Sequence, residues 1–107
     1  MTIQELITIS TETEKSKQWP DRKPAEHLML MVSELAEALE ELRNDPNLTK
    51  VYYQENGKPE GFSVELADCV IRIAAFCGSH NLDLEKALHE KLKFNISRPI
   101  RHGGKLL

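Results

Sequence analysis

The feature that most constrains the fold is a helical repeat of apolar residues between positions 24 and 43. Six of them fall in one stripe at the 3.6-residue period of an α-helix: Leu28, Met31, Val32, Leu35, Leu39 and Leu42. Pro24 suits the first turn of such a helix, and the polar stretch 44–47, which contains a proline, is expected to end it. The repeat predicts one long amphipathic helix.

Three further segments are predicted to be helical, at about residues 3–18, 61–79 and 81–97. Thr2 is a suitable N-cap for the first of them. The middle segment is apolar on most of its sides, which is typical of a helix that is buried all round. The chain is therefore predicted to be all-α and similar to a four-helix bundle, with residues 1–107 forming one domain because this length is too short for two.

The connection between the second and third helices, residues 48–59, is polar and contains an asparagine–glycine turn signal. It is predicted to be a loop, and a short hairpin through residues 51–53 is the alternative. Glu55, Lys58 and Glu60 are interpreted as surface residues of this connection.

Composition excludes several classes of function. The net charge of -3 is mild, which argues against a protein dedicated to binding nucleic acid or an anionic membrane. The chain has no apolar stretch near the roughly 18 residues of a membrane helix, and its start lacks the pattern of a signal peptide. Cys69 and Cys77 have no CxxC partner, so they are predicted to be buried free thiols of a cytoplasmic protein.

Acidic residues on the two central helices indicate a cation site. Glu34, Glu37 and Glu41 stand at i, i+3 and i+7 on one face, and Glu65 and Asp68 are three apart on the most apolar helix. A buried carboxylate needs a cation or a proton, and antiparallel packing of the two helices would bring four such groups together. Carboxylates without nearby cysteine or histidine favour Mg²⁺ or Mn²⁺ over Zn²⁺.

Each acidic pair also has a simpler interpretation. The glutamates of the second helix are compatible with a solvated face. Asp68 and Arg72 stand at i and i+4 in the favoured order for an ion pair on one helix. Two such pairs on consecutive helices, one of them on an apolar helix, favour the cation site over these separate explanations.

Basic and amide side chains near the C-terminus complement the acids. They share one face of the fourth helix or follow it in a glycine-containing segment: Lys91, Asn95, Arg98, Arg101, His102 and Lys105. Such a cluster is suited to binding a polyphosphate, and the alternative is a solvated helix end whose cations complement the helix dipole. Trp19, which directly precedes Pro20 in the connection to the second helix, is suited to stacking on a base or, alternatively, to anchoring a core or an interface.

This ordered set resembles the MazG-like, all-α nucleoside triphosphate pyrophosphohydrolases, which are marked by EExxE on one helix and ExxD on the next. The match here is SELAE at residues 33–37, followed after 27 intervening residues by ELAD at residues 65–68. The family's downstream lysine, asparagine and arginine look like Lys91, Asn95 and Arg98. The resemblance covers residues 19–105, and the ordered set is more specific than either acidic motif alone.

The resemblance implies a helical bundle that forms a dimer or a dimer of dimers, with Mg²⁺ held by Glu34, Glu37, Glu65 and Asp68 and Mn²⁺ as a substitute. It implies hydrolysis of a (deoxy)nucleoside triphosphate to a monophosphate and pyrophosphate, in housecleaning of the nucleotide pool. The phosphates would then be held by Lys91, Asn95 and Arg98, with help from the tail.

Ser33 departs from the family pattern, because it stands where relatives have the first glutamate of the double pair. The number of ions and the general base are therefore left open, and Glu41 is a candidate for a substitute role. A non-catalytic helical module that binds nucleotide or protein is the alternative function. A related pyrophosphatase that acts on a phosphoribosyl-nucleotide is a further option.

Overall fold

A computed structural model describes residues 1–100 and Leu106. Its elements in chain order are α1 (Ile3–Ser16), α2 (Pro24–Asn44), β1 (Tyr52–Tyr53), β2 (Pro59–Glu60), α3 (Phe62–Ser79) and α4 (Leu84–Ser97). The all-α prediction is confirmed for these residues, since each strand is only two residues long.

Local sequence signals fix where the helices begin. The Thr2 hydroxyl accepts a 3.0 Å hydrogen bond from the Glu5 N–H, and the Glu5 carboxylate accepts one from the Thr2 N–H, which completes a capping box. Pro24 occupies the first turn of α2, and Asp83 caps α4 by accepting a 3.0 Å bond from the Lys86 N–H. The predicted helix ends agree with the structure to within a few residues.

The central helix is α3, which packs against both α1 and α2. Ala74 and Ala75 are almost completely buried, so small side chains bring the neighbouring helices close. At Gly78, an added Cβ would collide with the Thr11 hydroxyl and touch Ile7 on α1. These contacts hold α1 and α2 on different sides of α3 and leave a cleft between them.

Much of the apolar surface of this single chain is not covered. On α2 the buried residues are Glu34 and Ala38, whereas the predicted stripe is largely exposed: Leu28, Val32, Leu35, Leu39 and Leu42. The expectation that α3 is buried all round is also wrong for one chain, because Leu66, Val70 and Ile71 are 39–50% exposed. A chain this small has too few elements to cover a helix on every side.

The last helix, α4, has its main contact with α1 and contributes no buried residue. Within one chain it therefore does not complete a bundle around α3. The connection 48–59, predicted as a loop, instead forms the alternative hairpin, in which Tyr52 pairs with Glu60 and Tyr53 with Pro59.

Two predictions from composition can be compared with the structure. Cys69 and Cys77 are buried free thiols, as expected, and burial raises the pKa of Cys77. Over the part of the chain that the structure describes, no helix has the length and apolar character needed to cross a lipid bilayer.

Candidate metal centre

A cleft of about 720 Å³ is bounded by α1, α2 and α3. The four predicted metal ligands, Glu34, Glu37, Glu65 and Asp68, all line it. Its other wall is made by α1 and the segment that follows, including Trp19. One concave site thus combines a carboxylate floor with a wall that carries apolar and cationic groups.

Antiparallel packing of α2 and α3 brings the acids together. Carboxylate oxygens of Glu34, Glu37 and Glu65 lie within 4.8 Å of one another, and Glu34 and Glu65 are buried at 7% and 4% exposure. Asp68 is close enough for the Glu34 charge, after burial itself, to raise its pKa. We refer to Glu34, Glu37, Glu65 and Asp68 as the acidic floor. These are oxygen donors of the kind that Mg²⁺ and Mn²⁺ prefer.

The charge of Glu34 is partly balanced across the helix interface. Arg72 Nε on α3 donates a 2.7 Å hydrogen bond to Glu34 Oε1 on α2. The sequence had offered Asp68 as the partner of Arg72, four residues away on the same helix. The arginine reaches Glu34 instead, and its charge only partly offsets the burial and the Glu34 charge that raise the pKa of Asp68. The ion pair therefore joins the two helices that carry the acidic floor.

Glu65 is the least satisfied member of the acidic floor. Within residues 1–100 and 106, its Oε2 is the buried side-chain atom that lacks a hydrogen-bond partner. Burial, and then its contacts with Glu37, raise the pKa of Glu65 to about 8. A carboxylate in this position requires either a proton or a cation, so the floor is electrostatically suited to a divalent ion.

The hairpin adds two residues that sequence reasoning missed. Lys58 lines the cleft, and its Nζ lies 3.1 Å from Oε1 of Glu60, whose side chain is only 12% exposed. Gln54 Nε2 donates a 2.8 Å hydrogen bond to the same oxygen of Glu60. The interpretation of Glu60 as plain surface is therefore wrong, whereas Glu55 and Lys58 are exposed as expected, although Lys58 also borders the cleft. The asparagine–glycine turn was the one signal that could have located them.

Glu41, the candidate substitute for the acid missing at position 33, also belongs to this region. It accepts a 2.7 Å hydrogen bond from the Tyr52 hydroxyl, and this contact raises the pKa of Tyr52 to about 12. Oxygens of Glu41, Glu60 and Glu65 lie within 4.8 Å of one another. Ser33 is exposed, and its hydroxyl donates to the carbonyl of Leu30.

The wall opposite the acids carries the predicted base-stacking residue. Trp19 is 59% exposed, and the guanidinium of Arg22 lies 5.7 Å from the centre of its ring. Lys17 and Arg22 line the cleft as well, together with Glu14, so this side carries two cations and one acid. Neither cation was singled out from sequence.

The predicted phosphate-binding residues of α4 are not brought to the cleft within the described chain. Lys91 and Arg98 instead lie over the ring of Phe94, at 5.3 and 4.9 Å from its centre. Asn95 is exposed on the same helix. The remaining predicted residues, Arg101, His102 and Lys105, lie outside the described part of the chain.

Comparisons with protein-family models, with curated proteins and with solved structures found no significant match to this chain.

Proposed function

We propose that this chain is an Mg²⁺-dependent, MazG-like nucleoside triphosphate pyrophosphohydrolase that cleaves a (deoxy)nucleoside triphosphate to a monophosphate and pyrophosphate. The observation that carries the proposal is the group of Glu34, Glu37 and Glu65, whose oxygens lie within 4.8 Å of one another at the floor of a large cleft. Such mutually repelling carboxylates are stabilised by a hard divalent cation. Housecleaning of the nucleotide pool is the proposed cellular role.

In this proposal the acidic floor holds Mg²⁺, with Mn²⁺ as a substitute. When bound, the ion would polarise a phosphate and lower the pKa of a coordinated water. Arg72 fixes the carboxylate of Glu34 through Oε1, which orients this ligand before the ion arrives. The burial of Glu34 and Glu65 limits the access of bulk water, so charges at the floor interact more strongly than at the surface.

The rest of the cleft suits the other parts of a nucleotide. Three cations line the cleft: Lys17, Arg22 and Lys58. They bring positive charge into the same cleft as the acidic floor, where a triphosphate would lie. Trp19 offers an exposed aromatic face for a base. The proposed role of Lys91, Asn95 and Arg98 in phosphate binding stays a prediction, because one chain does not place them here.

We also propose that the chain works as a homo-oligomer, a dimer or a dimer of dimers. The support is the exposed apolar stripe of α2, in which Leu28, Val32, Leu35 and Leu39 are 48–55% exposed. A row of large apolar side chains along one helix face is typical of a protein–protein interface. A second copy of the chain would remove this surface from water and complete a helical bundle.

The rival function, a non-catalytic module that binds nucleotide or protein, is favoured by Ser33. Its hydroxyl is held by the Leu30 carbonyl on an exposed part of α2, so position 33 adds no carboxylate to the floor. Glu41 and Glu60 offset this loss, since they bring two further carboxylates to Glu65.

The two functions are separated by a panel of nucleoside and deoxynucleoside triphosphates, with a phosphoribosyl-nucleotide included, incubated with the chain and Mg²⁺. We expect equal amounts of monophosphate and pyrophosphate, and a loss of at least about 100-fold in rate for Glu34→Gln or Asp68→Asn, the size of effect found when a charge-stabilising group is removed. Glu40→Gln, an exposed glutamate of the same helix, is the matched control.

Orthophosphate instead of pyrophosphate, or turnover that both variants retain, would overturn the hydrolase proposal. Binding of nucleotide by calorimetry without turnover in Mg²⁺ or Mn²⁺ would support the non-catalytic module. Activity confined to the phosphoribosyl-nucleotide would instead identify the related pyrophosphatase.

A further inference from the structure

Glu65 belongs to two carboxylate groups. One contains Glu34 and Glu37, and the other contains Glu41 from α2 and Glu60 from the hairpin; each group has oxygens within 4.8 Å of one another. Glu65 itself is 4% exposed, and its Oε2 has no hydrogen-bond partner in the described chain. A buried carboxylate shared by two acidic groups is placed to bridge two cations.

We propose that the chain binds a second divalent cation through Glu41, Glu60 and Glu65, with Glu65 bridging it to the ion of the acidic floor. We call these three residues the hairpin-side site. An octahedral Mg²⁺ or Mn²⁺ has ligands at about 2.1 Å, so opposite ligands are about 4.2 Å apart. Three oxygens within 4.8 Å match this spacing after small side-chain movements.

Neighbouring groups hold the ligands of the hairpin-side site in place. The Tyr52 hydroxyl donates to Oε1 of Glu41, while Gln54 and Lys58 both contact Oε1 of Glu60. These contacts orient the two carboxylates without using their Oε2 atoms, as outer hydrogen bonds do around metal ligands.

The balance of charges also favours a cation at the hairpin-side site. Three carboxylates converge in the hairpin-side site, and when all three are ionised the Lys58 ammonium neutralises one of their charges. Arg72 is already engaged by Glu34. A divalent cation would offset the remaining repulsion, which grows as the groups are withdrawn from water.

This inference deepens the proposed function, since the two sites share Glu65, but its test counts bound ions and needs no turnover. Mn²⁺ binding to the full-length chain is measured by calorimetry and by the EPR signal of free Mn²⁺. We expect two ions per chain in the wild type and one in the double variant Glu41→Gln/Glu60→Gln. Each glutamine keeps the size of the side chain and an oxygen that accepts a hydrogen bond.

The matched control is Glu40→Gln/Glu55→Gln, which removes the same charge from exposed positions and should retain two ions. One ion in the wild type, or two in the hairpin-side variant, would overturn the inference. The number of Mn²⁺ ions bound by the wild type tests the inference even if the variant fails to fold. Two Mn²⁺ ions about 4 Å apart give a spin-coupled EPR spectrum, whereas spectra of isolated ions at saturation would contradict the bridge.

The outcomes also separate this inference from the hydrolase proposal. Two coupled ions without any turnover would keep the hairpin-side site and reject the enzyme. Pyrophosphate release with a single bound ion would keep the enzyme and reject the second site.

Discussion

The Nε atom of Arg72 lies 2.7 Å from Oε1 of Glu34, and this ion pair joins α3 to α2 in the lining of the cleft. The two residues are 38 positions apart, so the contact exists only when the helices are packed. The side chain of Glu34 is 9% exposed and that of Arg72 is 38% exposed. The pair is therefore more protected than the surface pairs of this chain, although solvent still screens its arginine.

We expect Arg72→Met to lower the free energy of unfolding by about 1–3 kcal/mol in EDTA. Removing one partner of a buried pair costs about 3–5 kcal/mol, and the exposure of Arg72 reduces that figure. Arg43→Met is the control, because Arg43 lies 3.7 Å from Glu40 in a pair whose side chains are both more than 60% exposed. Its loss should cost less than about 0.5 kcal/mol. Equal effects of the two changes in urea unfolding would contradict the structural role of Arg72.

The metal-free protein should become less stable as the pH rises from about 4.5 to about 8. Glu65 has a folded pKa of about 8 against an ordinary value of 4.5, so its protonated form favours the folded state. This stabilisation is fully present below the ordinary pKa and is lost as the pH rises through the folded one. Asp68, whose pKa is also raised, acts in the same direction.

Urea unfolding in EDTA at a series of pH values measures this slope. Glu65→Gln should flatten it, whereas Glu55→Gln, in an exposed turn, should leave it unchanged. Because an ion replaces the proton on Glu65, the stabilisation given by Mg²⁺ should increase over the same pH range. A slope that survives in Glu65→Gln would show that another group is responsible.

A charge placed in the exposed stripe of α2 should dissociate the proposed oligomer. Leu35→Lys and Leu39→Lys would each put an ammonium into an apolar interface, where burial of an unpaired charge is costly. Glu40→Lys places the same side chain elsewhere on α2. Light scattering after size-exclusion chromatography should show a monomer only for the leucine variants. A wild-type chain that is already monomeric at micromolar concentration would reject the oligomer.

Binding of a nucleotide should quench the fluorescence of Trp19, which is the sole tryptophan of the chain. Its ring is exposed on the wall of the cleft, so a base that stacks on it would alter its emission. A non-hydrolysable triphosphate analogue with Mg²⁺ is the ligand for this titration. Tripolyphosphate, which carries the charge but has no base, is the control, and equal quenching by both would argue against stacking.

The acidic floor could be predicted from sequence because its geometry is local. Glu34 and Glu37 share a helix face by spacing alone, as do Glu65 and Asp68, so only the antiparallel packing of two helices had to be added. A helix boundary was also readable where a local group sets it, as at Thr2. Intervals of three and four residues on a helix are therefore a reliable guide to which side chains meet.

The hairpin and the packing of α4 could not be predicted in this way. Glu60 reaches Glu65 through the register of two strands of two residues each, which leave almost no hydrophobic pattern in the sequence. The apolar residues of α4, such as Leu88 and Leu92, predict a helix face but do not specify its partner. In one chain this apolar face stays largely exposed. Lys91 and Arg98 likewise do not reach the cleft that contains the acidic floor.

Gly61 connects the hairpin directly to α3, and its backbone has a φ of 138°, a conformation that other residues rarely adopt. A Cβ at this position would collide with the carbonyl oxygen of Lys50. The strand that carries Glu60 and the helix that carries Glu65 are thus coupled by a residue without a side chain. Any replacement of Gly61 would shift the hairpin relative to α3, so the spacing of two proposed metal ligands depends on a position that has no side chain to offer a metal.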